Sequence, residues 1–253
     1  MPIAADLNYF VHEAEHTTRP PLILIHGAGG FHLSWPPHIR RLRDHTVYAL
    51  DLNGHGASIG DGRVTVDDHV QDVLKFMDEL GLQSACLAGH SMGGGIALTM
   101  AVHHAGRVDG LLLVSTGAKL RVAEALLDAA SRVDTFSKAV EMVIENSFSK
   151  HVDLRVKGLT KQRMALTNPQ TLRADLLACH SFDILGSLPD ISAPTLILCG
   201  SEDAMTPSKY SQTLCDQVPG ARFELIPHAG HMLMLEKPEV VRKLMDEFLG
   251  SLE

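Results

Sequence analysis

The run Gly89-His90-Ser91-Met92-Gly93 constrains this chain more than any other feature, because it calls for a strand that turns abruptly into a helix with a serine at the corner. Apolar Ala85-Cys86-Leu87-Ala88 precedes it, and Gly94-Gly95-Ile96-Ala97-Leu98 follows as a helix start. Such a corner brings backbone atoms close together and strains the serine, so residues without a Cβ belong beside it. The pattern G-x-S-x-G in this context presents a nucleophilic serine. A free hydroxyl is a weak nucleophile. The corner therefore carries chemistry only with a base to take the proton and an acid to orient that base.

Both partners follow later in the chain. The histidine candidate is His231, in Pro227-His228-Ala229-Gly230-His231, directly after the apolar run Arg222-Phe223-Glu224-Leu225-Ile226. The acid candidate is Asp203, directly after the strand Thr195-Leu196-Ile197-Leu198-Cys199, with Glu202 as a neighbouring rival expected on the other side of the loop. Asp203 could instead serve as a helix cap ahead of Pro207. The preceding strand, Gly110 to Val114, runs into Ser115-Thr116-Gly117-Ala118-Lys119 and offers no carboxylate. All three residues fall at strand ends, where the loops of an open parallel sheet share a crevice. His26-Gly27-Ala28-Gly29-Gly30, after the strand Leu22 to Ile25, is a loop whose N–H groups could face a developing oxyanion. The donors expected are the backbone amides of Ala28 and Met92. His90 is read as structural, pointing away from Ser91 on a strand period of two. Asp51 and Ser58 are read as bracing their own loop.

Taken together, these motifs resemble the α/β-hydrolase superfamily from nearly one end of the chain to the other. The segments that carry the resemblance are His26-Gly27, Asp51-Leu52-Asn53-Gly54-His55-Gly56-Ala57-Ser58, Gly89 to Gly93, Gly200-x-x-Asp203-x-x-x-Pro207, and Gly230-His231-x4-Glu236-Lys237-Pro238. The order serine, acid, histidine is that of this superfamily and differs from chymotrypsin and subtilisin. The resemblance implies an α/β fold with a mostly parallel central sheet, helices on both faces and a helical lid. The core would comprise residues 1–116 and 188–253, with the lid at 117–187.

The residues themselves agree with that expectation. Strand and helix patterns alternate, which implies a parallel sheet covered on both faces. Val66, Val70, Val73, Met77 and Leu80 recur at spacings of three and four, predicting a helix over 65–80 that opens on Thr65 with Asp68 and ends at Gly81. From Gly117 to about Ser187 the pattern is helical without a strand-like run, and its aromatics are Phe136, Phe148 and Phe182. That aliphatic, Trp-free composition points to an apolar acyl pocket. Lys150, Arg155, Lys157, Lys161 and Arg163 cluster with only Asp153 against them. They are read as a solvated helix face, with steering of anionic esters as the sharper alternative.

Composition narrows the partners. A net charge of −8 disfavours nucleic acid. No run approaches a membrane-spanning length, and the N-terminus lacks the basic and apolar regions of a secretory signal. Cys86, Cys179, Cys199 and Cys215 follow neither disulfide nor zinc spacing, so reduced thiols and a cytoplasmic location are expected. His12-Glu13-Ala14-Glu15-His16 matches the H-E-x-x-H zinc pattern, but it follows a strand-like run and meets Pro20-Pro21, so no zinc helix is expected there.

Within the superfamily, aspartate replaces the serine in dehalogenases and epoxide hydrolases. Carbon–carbon hydrolases of ring-fission products typically carry Asn before the serine and Trp after the histidine, where this chain has His90 and Met232. Cofactor-free haloperoxidase-like members usually have an aromatic residue before the serine, again unlike His90. The expectation is a carboxylesterase or small lipase-like enzyme acting on a small-molecule ester through an acyl-enzyme, with no metal or cofactor. The alternatives are carbon–carbon bond hydrolysis and a receptor or binding module with a slow triad.

Overall fold

A computed structural model describes residues 1–15, 17 and 19–252. Its strands are β1 (Ile3–Ala4), β2 (Leu7–His12), β3 (Leu22–Ile25), β4 (Val47–Leu50), β5 (Ala85–His90), β6 (Val108–Val114), β7 (Thr195–Gly200) and β8 (Arg222–Ile226). They form one eight-stranded sheet in the order β1-β2-β4-β3-β5-β6-β7-β8. The pairs β1–β2 and β2–β4 are antiparallel, and every pair from β4 to β8 is parallel. The helices are α1 (Pro37–Arg40), α2 (Val66–Glu79), α3 (Met92–His103), α4 (Glu124–Ala130), α5 (Phe136–Ser147), α6 (Leu154–Met164), α7 (Pro169–Ser181), α8 (Ser208–Gln217), α9 (Leu233–Glu236) and α10 (Pro238–Leu249).

The central strands are predominantly apolar because both faces are covered. Ile23 and Ile25, Leu87, Leu111, Leu113 and Ile197 pack into one layer with α2, α3 and Leu214 of α8. The alternate residues Leu22, Leu24, Cys86, Ala88, Leu112, Val114, Leu196 and Leu198 pack into the other with α1 and α10. Each fully buried Leu or Ile contributes about 1.5–3 kcal/mol, so the two layers dominate the stability of the fold. The amphipathic helix predicted at 65–80 is α2. Thr65 caps it by accepting from the Asp68 N–H at 3.1 Å, and Gly81 ends it at φ +67°.

One close approach sets the position of α3. A Cβ on Gly93 would sit 2.3 Å from the Ile25 carbonyl oxygen, so any side chain there would push α3 away from β3. Between β6 and β7 the chain forms α4 to α7, whose side chains bury against one another in a separate cluster around Leu126, Val140, Ile144 and Leu172. His12 lies in β2 opposite Val47, so the first histidine of the zinc-like pattern is in a strand, and His16 lies outside the described residues. No helix among the described residues is long and apolar enough to cross a membrane.

Candidate active site

Ser91 sits between β5 and α3 at φ 52°, ψ −116°. A non-glycine residue held there costs on the order of 1–3 kcal/mol, and the surrounding bonds hold it in place. The Ser91 N–H donates to the Val114 carbonyl at 3.0 Å, while its own carbonyl accepts from Gly94, Gly95 and the Thr116 hydroxyl. A Cβ on Gly89 would lie 2.2 Å from the Gly93 oxygen, which explains the first glycine of the motif as the Ile25 carbonyl explains the last.

Asp203 and His231 are both buried, and His231 Nδ1 lies 3.1 and 3.0 Å from the two carboxylate oxygens of Asp203. The carboxylate also accepts from the Met205 and Thr206 N–H groups at 2.9 and 2.8 Å and from the Thr206 hydroxyl at 2.8 Å. Burial alone would raise the Asp203 pKa. The attraction of the His231 imidazole and the hydrogen bonds from His231 and Thr206 outweigh it, holding the carboxyl below its usual range. The carboxylate thus orders its own turn, and α8 begins after Pro207 with no side-chain cap. Glu202 points elsewhere, toward His151 and His228. The His231 loop is braced by Glu236, which accepts from the Gly230 N–H at 2.8 Å and from the Ser149 hydroxyl at 2.5 Å.

One expectation is corrected here. His90 does not point away from the site. Its ring packs against that of His231 with centroids 4.7 Å apart, and its Nε2 donates to the His231 carbonyl at 3.0 Å. The period-two rule ends at His90 because the corner at Ser91 redirects the chain. Burial pushes the His90 pKa down to about 3, so its ring is neutral.

The glycine loop after β3 is held by groups that the sequence reading did not pair. Gly29 N–H donates to Asp175 of α7 at 2.8 Å, and Gly30 N–H to the Gly27 carbonyl at 3.0 Å. Ala28, which precedes these two glycines, lines both cavities beside the loop. Met92 is the first residue of α3, where an N–H has no intrahelical acceptor. Asp175 is fully buried and also bonds His55 Nε2 at 2.8 Å, while His55 Nδ1 lies 3.0 Å from the Asn53 carbonyl. Two acceptors on one imidazole require both nitrogens to carry protons. Burial opposes that charge, but the Asp175 carboxylate overcomes it and the His55 pKa is raised. Neighbouring His26 behaves oppositely: Nε2 accepts from the Leu52 N–H and Nδ1 donates to the Gly27 carbonyl, the pattern of a neutral ring, and burial takes its pKa to about 3. Asp51 and Ser58 brace their loop as expected, with Ser58 Oγ donating to the Asp51 carbonyl at 2.6 Å and Asp51 accepting from Asn8 and His32.

Two cavities meet at Ala28. One of about 280 Å³ contains Ser91 and is walled by Leu120, Val122, Leu126, Met142 and Leu176. The other, about 250 Å³, runs past His90 and Met232 to Met164 and Arg163. Within the basic stretch, Lys157 pairs with Glu145 at 3.1 Å and Lys161 with Glu141. Arg163 lies over the Phe31 ring at 5.4 Å on the cavity wall. The solvated-face reading fits Lys157 and Lys161, and Arg163, exposed with its guanidinium over Phe31, also borders the second cavity.

Thr206, Asp175 and His55 are the site residues that sequence reasoning missed. Thr206 was legible as part of the Asp203 turn. Asp175 was not, since an aspartate on a helix ordinarily faces water.

Residues 22–244 match the family model described as Alpha/beta hydrolase family. The chain is 28% identical over 240 residues to 3-oxoadipate enol-lactonase 1 of Acinetobacter baylyi, covering 92% of this chain and 90% of that one. It is 27% identical over 242 residues to a Variovorax paradoxus protein provisionally named carbamate hydrolase RutD, covering 90% and 91%. A thermophilic esterase from Thermogutta terrifontis, solved with malate bound, superposes with a TM-score of 0.89 at 28% identity, covering 97% of this chain and 93% of that one. Motif order, sheet topology and these relatives agree: the chain belongs to the Alpha/beta hydrolase family.

Proposed function

We propose that the protein is a serine hydrolase that cleaves carboxylic esters through an acyl-enzyme, with Ser91 as nucleophile, His231 as base and Asp203 as its orienting acid. The observation that carries this reading is the bond from His231 Nδ1 to Asp203, which fixes the Nδ1–H tautomer and leaves Nε2 free to take a proton. Ser91 Oγ attacks the acyl carbon as His231 Nε2 accepts its proton. The carbonyl oxygen gains the negative charge and accepts from the amides of Ala28 and Met92, each worth about 3–4 kcal/mol in the transition state. Collapse breaks the acyl–oxygen bond, and the alcohol leaves with the proton from His231. Water then repeats the sequence and releases the acid.

The segment 117–187 is the lid of this reading, and it supplies Leu120, Leu126 and Leu176 to an apolar acyl cavity. A lactone is an internal ester, and Arg163 on the second cavity wall favours a leaving portion or ring that carries an anionic group. The enol-lactonase relative is in keeping with that second, narrower reading. The test compares turnover of p-nitrophenyl esters of increasing chain length, a lactone, a carbamate and a carbon–carbon ring-fission product. Ester or lactone turnover with acyl-enzyme burst kinetics is expected. Turnover confined to the ring-fission product, or absent throughout, would overturn the reading.

A further inference from the structure

Outside the cleft, His151, Glu202 and His228 converge from three separate segments. His151 lies between α5 and α6, Glu202 directly after β7, and His228 directly after β8. One ligand atom from each lies within 4.8 Å of the others. His151 Nε2 is 3.4 Å and His228 Nδ1 3.6 Å from the same oxygen, Glu202 Oε1. Donors about 2.0–2.2 Å from a tetrahedral ion stand roughly 3.3–3.6 Å from one another, so two of the three edges already have the required length. The third edge, between the imidazoles, closes by side-chain rotation. The rings meet edge to face at 4.8 Å between centroids and are 44% and 68% exposed, so nothing packs them in place.

We propose that these three side chains form a binding site for a divalent transition-metal ion of the zinc type. Two imidazoles and one carboxylate suit Zn²⁺ rather than Mg²⁺ or Ca²⁺, which prefer all-oxygen shells. The fourth position faces solvent and takes water. The backbones are already positioned: His228 N–H donates to Ser201 Oγ at 3.0 Å, His151 N–H to Ser149 Oγ at 3.2 Å, and Lys150 N–H to Glu202 at 3.4 Å. Glu202 adjoins Asp203, and His228 shares a loop with His231. The ion therefore ties the helical segment to both loops that carry the Asp203–His231 pair. It acts as a clasp and performs no step of the hydrolysis.

Isothermal titration of the metal-free protein with Zn²⁺, paired with thermal unfolding, tests the site. His228 occupies φ 56°, a conformation that glycine adopts freely, so His228→Gly removes the ligand while leaving the fold intact, as unfolding without metal will verify. The wild type should bind one Zn²⁺ per chain at this site and unfold at a higher temperature with it, and Mg²⁺ should do neither. His151→Ala, Glu202→Gln and His228→Gly should each weaken that binding at least ~10-fold, and His151→Ala/His228→Gly should abolish it together with the thermal shift. The chain has 15 histidines, so the variants decide the location. Zinc binding and a thermal shift that persist unchanged in the double variant, or no saturable binding by the wild type, would overturn the proposal.

Discussion

Asp203 and Asp175 are both buried carboxylates bonded to a histidine, and they do different work. Asp203 shares a turn with its hydrogen-bond donors, follows directly on the sheet and holds His231 by its Nδ1. Asp175 comes from α7, reaches across to the core and binds both His55 and the Gly29 amide of the loop beside the cavities. The first pair sets a tautomer. The second latches the helical segment to the core, with the glycine loop as the part that feels it. Asp203 is satisfied at both oxygens, whereas Asp175 Oδ1 has no hydrogen-bond partner and faces His69 at 3.8 Å. Burial keeps His69 neutral, with a pKa of about 4. A buried carboxylate with one oxygen unbonded leans on its charge partner, so the latch should be the more fragile structure and the orienting pair the more critical chemistry.

Breaking the orienting pair gives the largest effect on turnover. Asp203→Asn should lower kcat by about 10⁴, the loss expected when the wrong histidine tautomer is favoured, with the fold retained by circular dichroism. Breaking the latch reverses the balance. Asp175→Ala should cost about 3–5 kcal/mol of stability in denaturant unfolding, because it leaves the fully buried His55 without its counter-charge. Its kcat should fall by up to ~10²-fold, because the Gly29 amide loses the acceptor that fixes the loop.

The pH response separates the two further. Asp175 titrates below its ordinary 3.8, so its contribution is complete above that value and fades as pH falls through the depressed one. His55 titrates above its ordinary 6.5, so its contribution is complete below that value and fades as pH rises through the raised one. The stability difference between wild type and Asp175→Asn should therefore be greatest between pH 3.8 and 6.5 and narrow on the alkaline side. His90 is neutral in the fold and its protonation in acid is destabilising, but Asp175 is not among the groups acting on it, so its contribution cancels in the difference. The smallest effect belongs to Glu202→Gln. Ester turnover in metal-free buffer should stay within about twofold of wild type, since this side chain faces away from His231.

The same comparison explains what the sequence could convey. The Asp203 turn, the corner at Ser91 and the His231 loop each lie at the end of an apolar strand, and local pattern is enough to find them. The parallel sheet and the cap at Thr65 were readable for the same reason. Asp175 was opaque because its partners, Gly29 and His55, are 146 and 120 residues away, and nothing in α7 marks it as buried. His90 departs from strand alternation because β5 stops there and the chain turns at Ser91. Arg163 looked like its lysine neighbours, and only packing against Phe31 sets it apart.

The central claim is that Ser91 accepts the acyl group. Intact-mass and peptide mass spectrometry after treatment with a fluorophosphonate, run on wild type and Ser91→Ala, tests it most directly. A single adduct on the peptide carrying Ser91 is expected, absent in Ser91→Ala, with ester hydrolysis lost in step. A label on another residue, or more than about a tenth of wild-type hydrolysis surviving in Ser91→Ala, would contradict it.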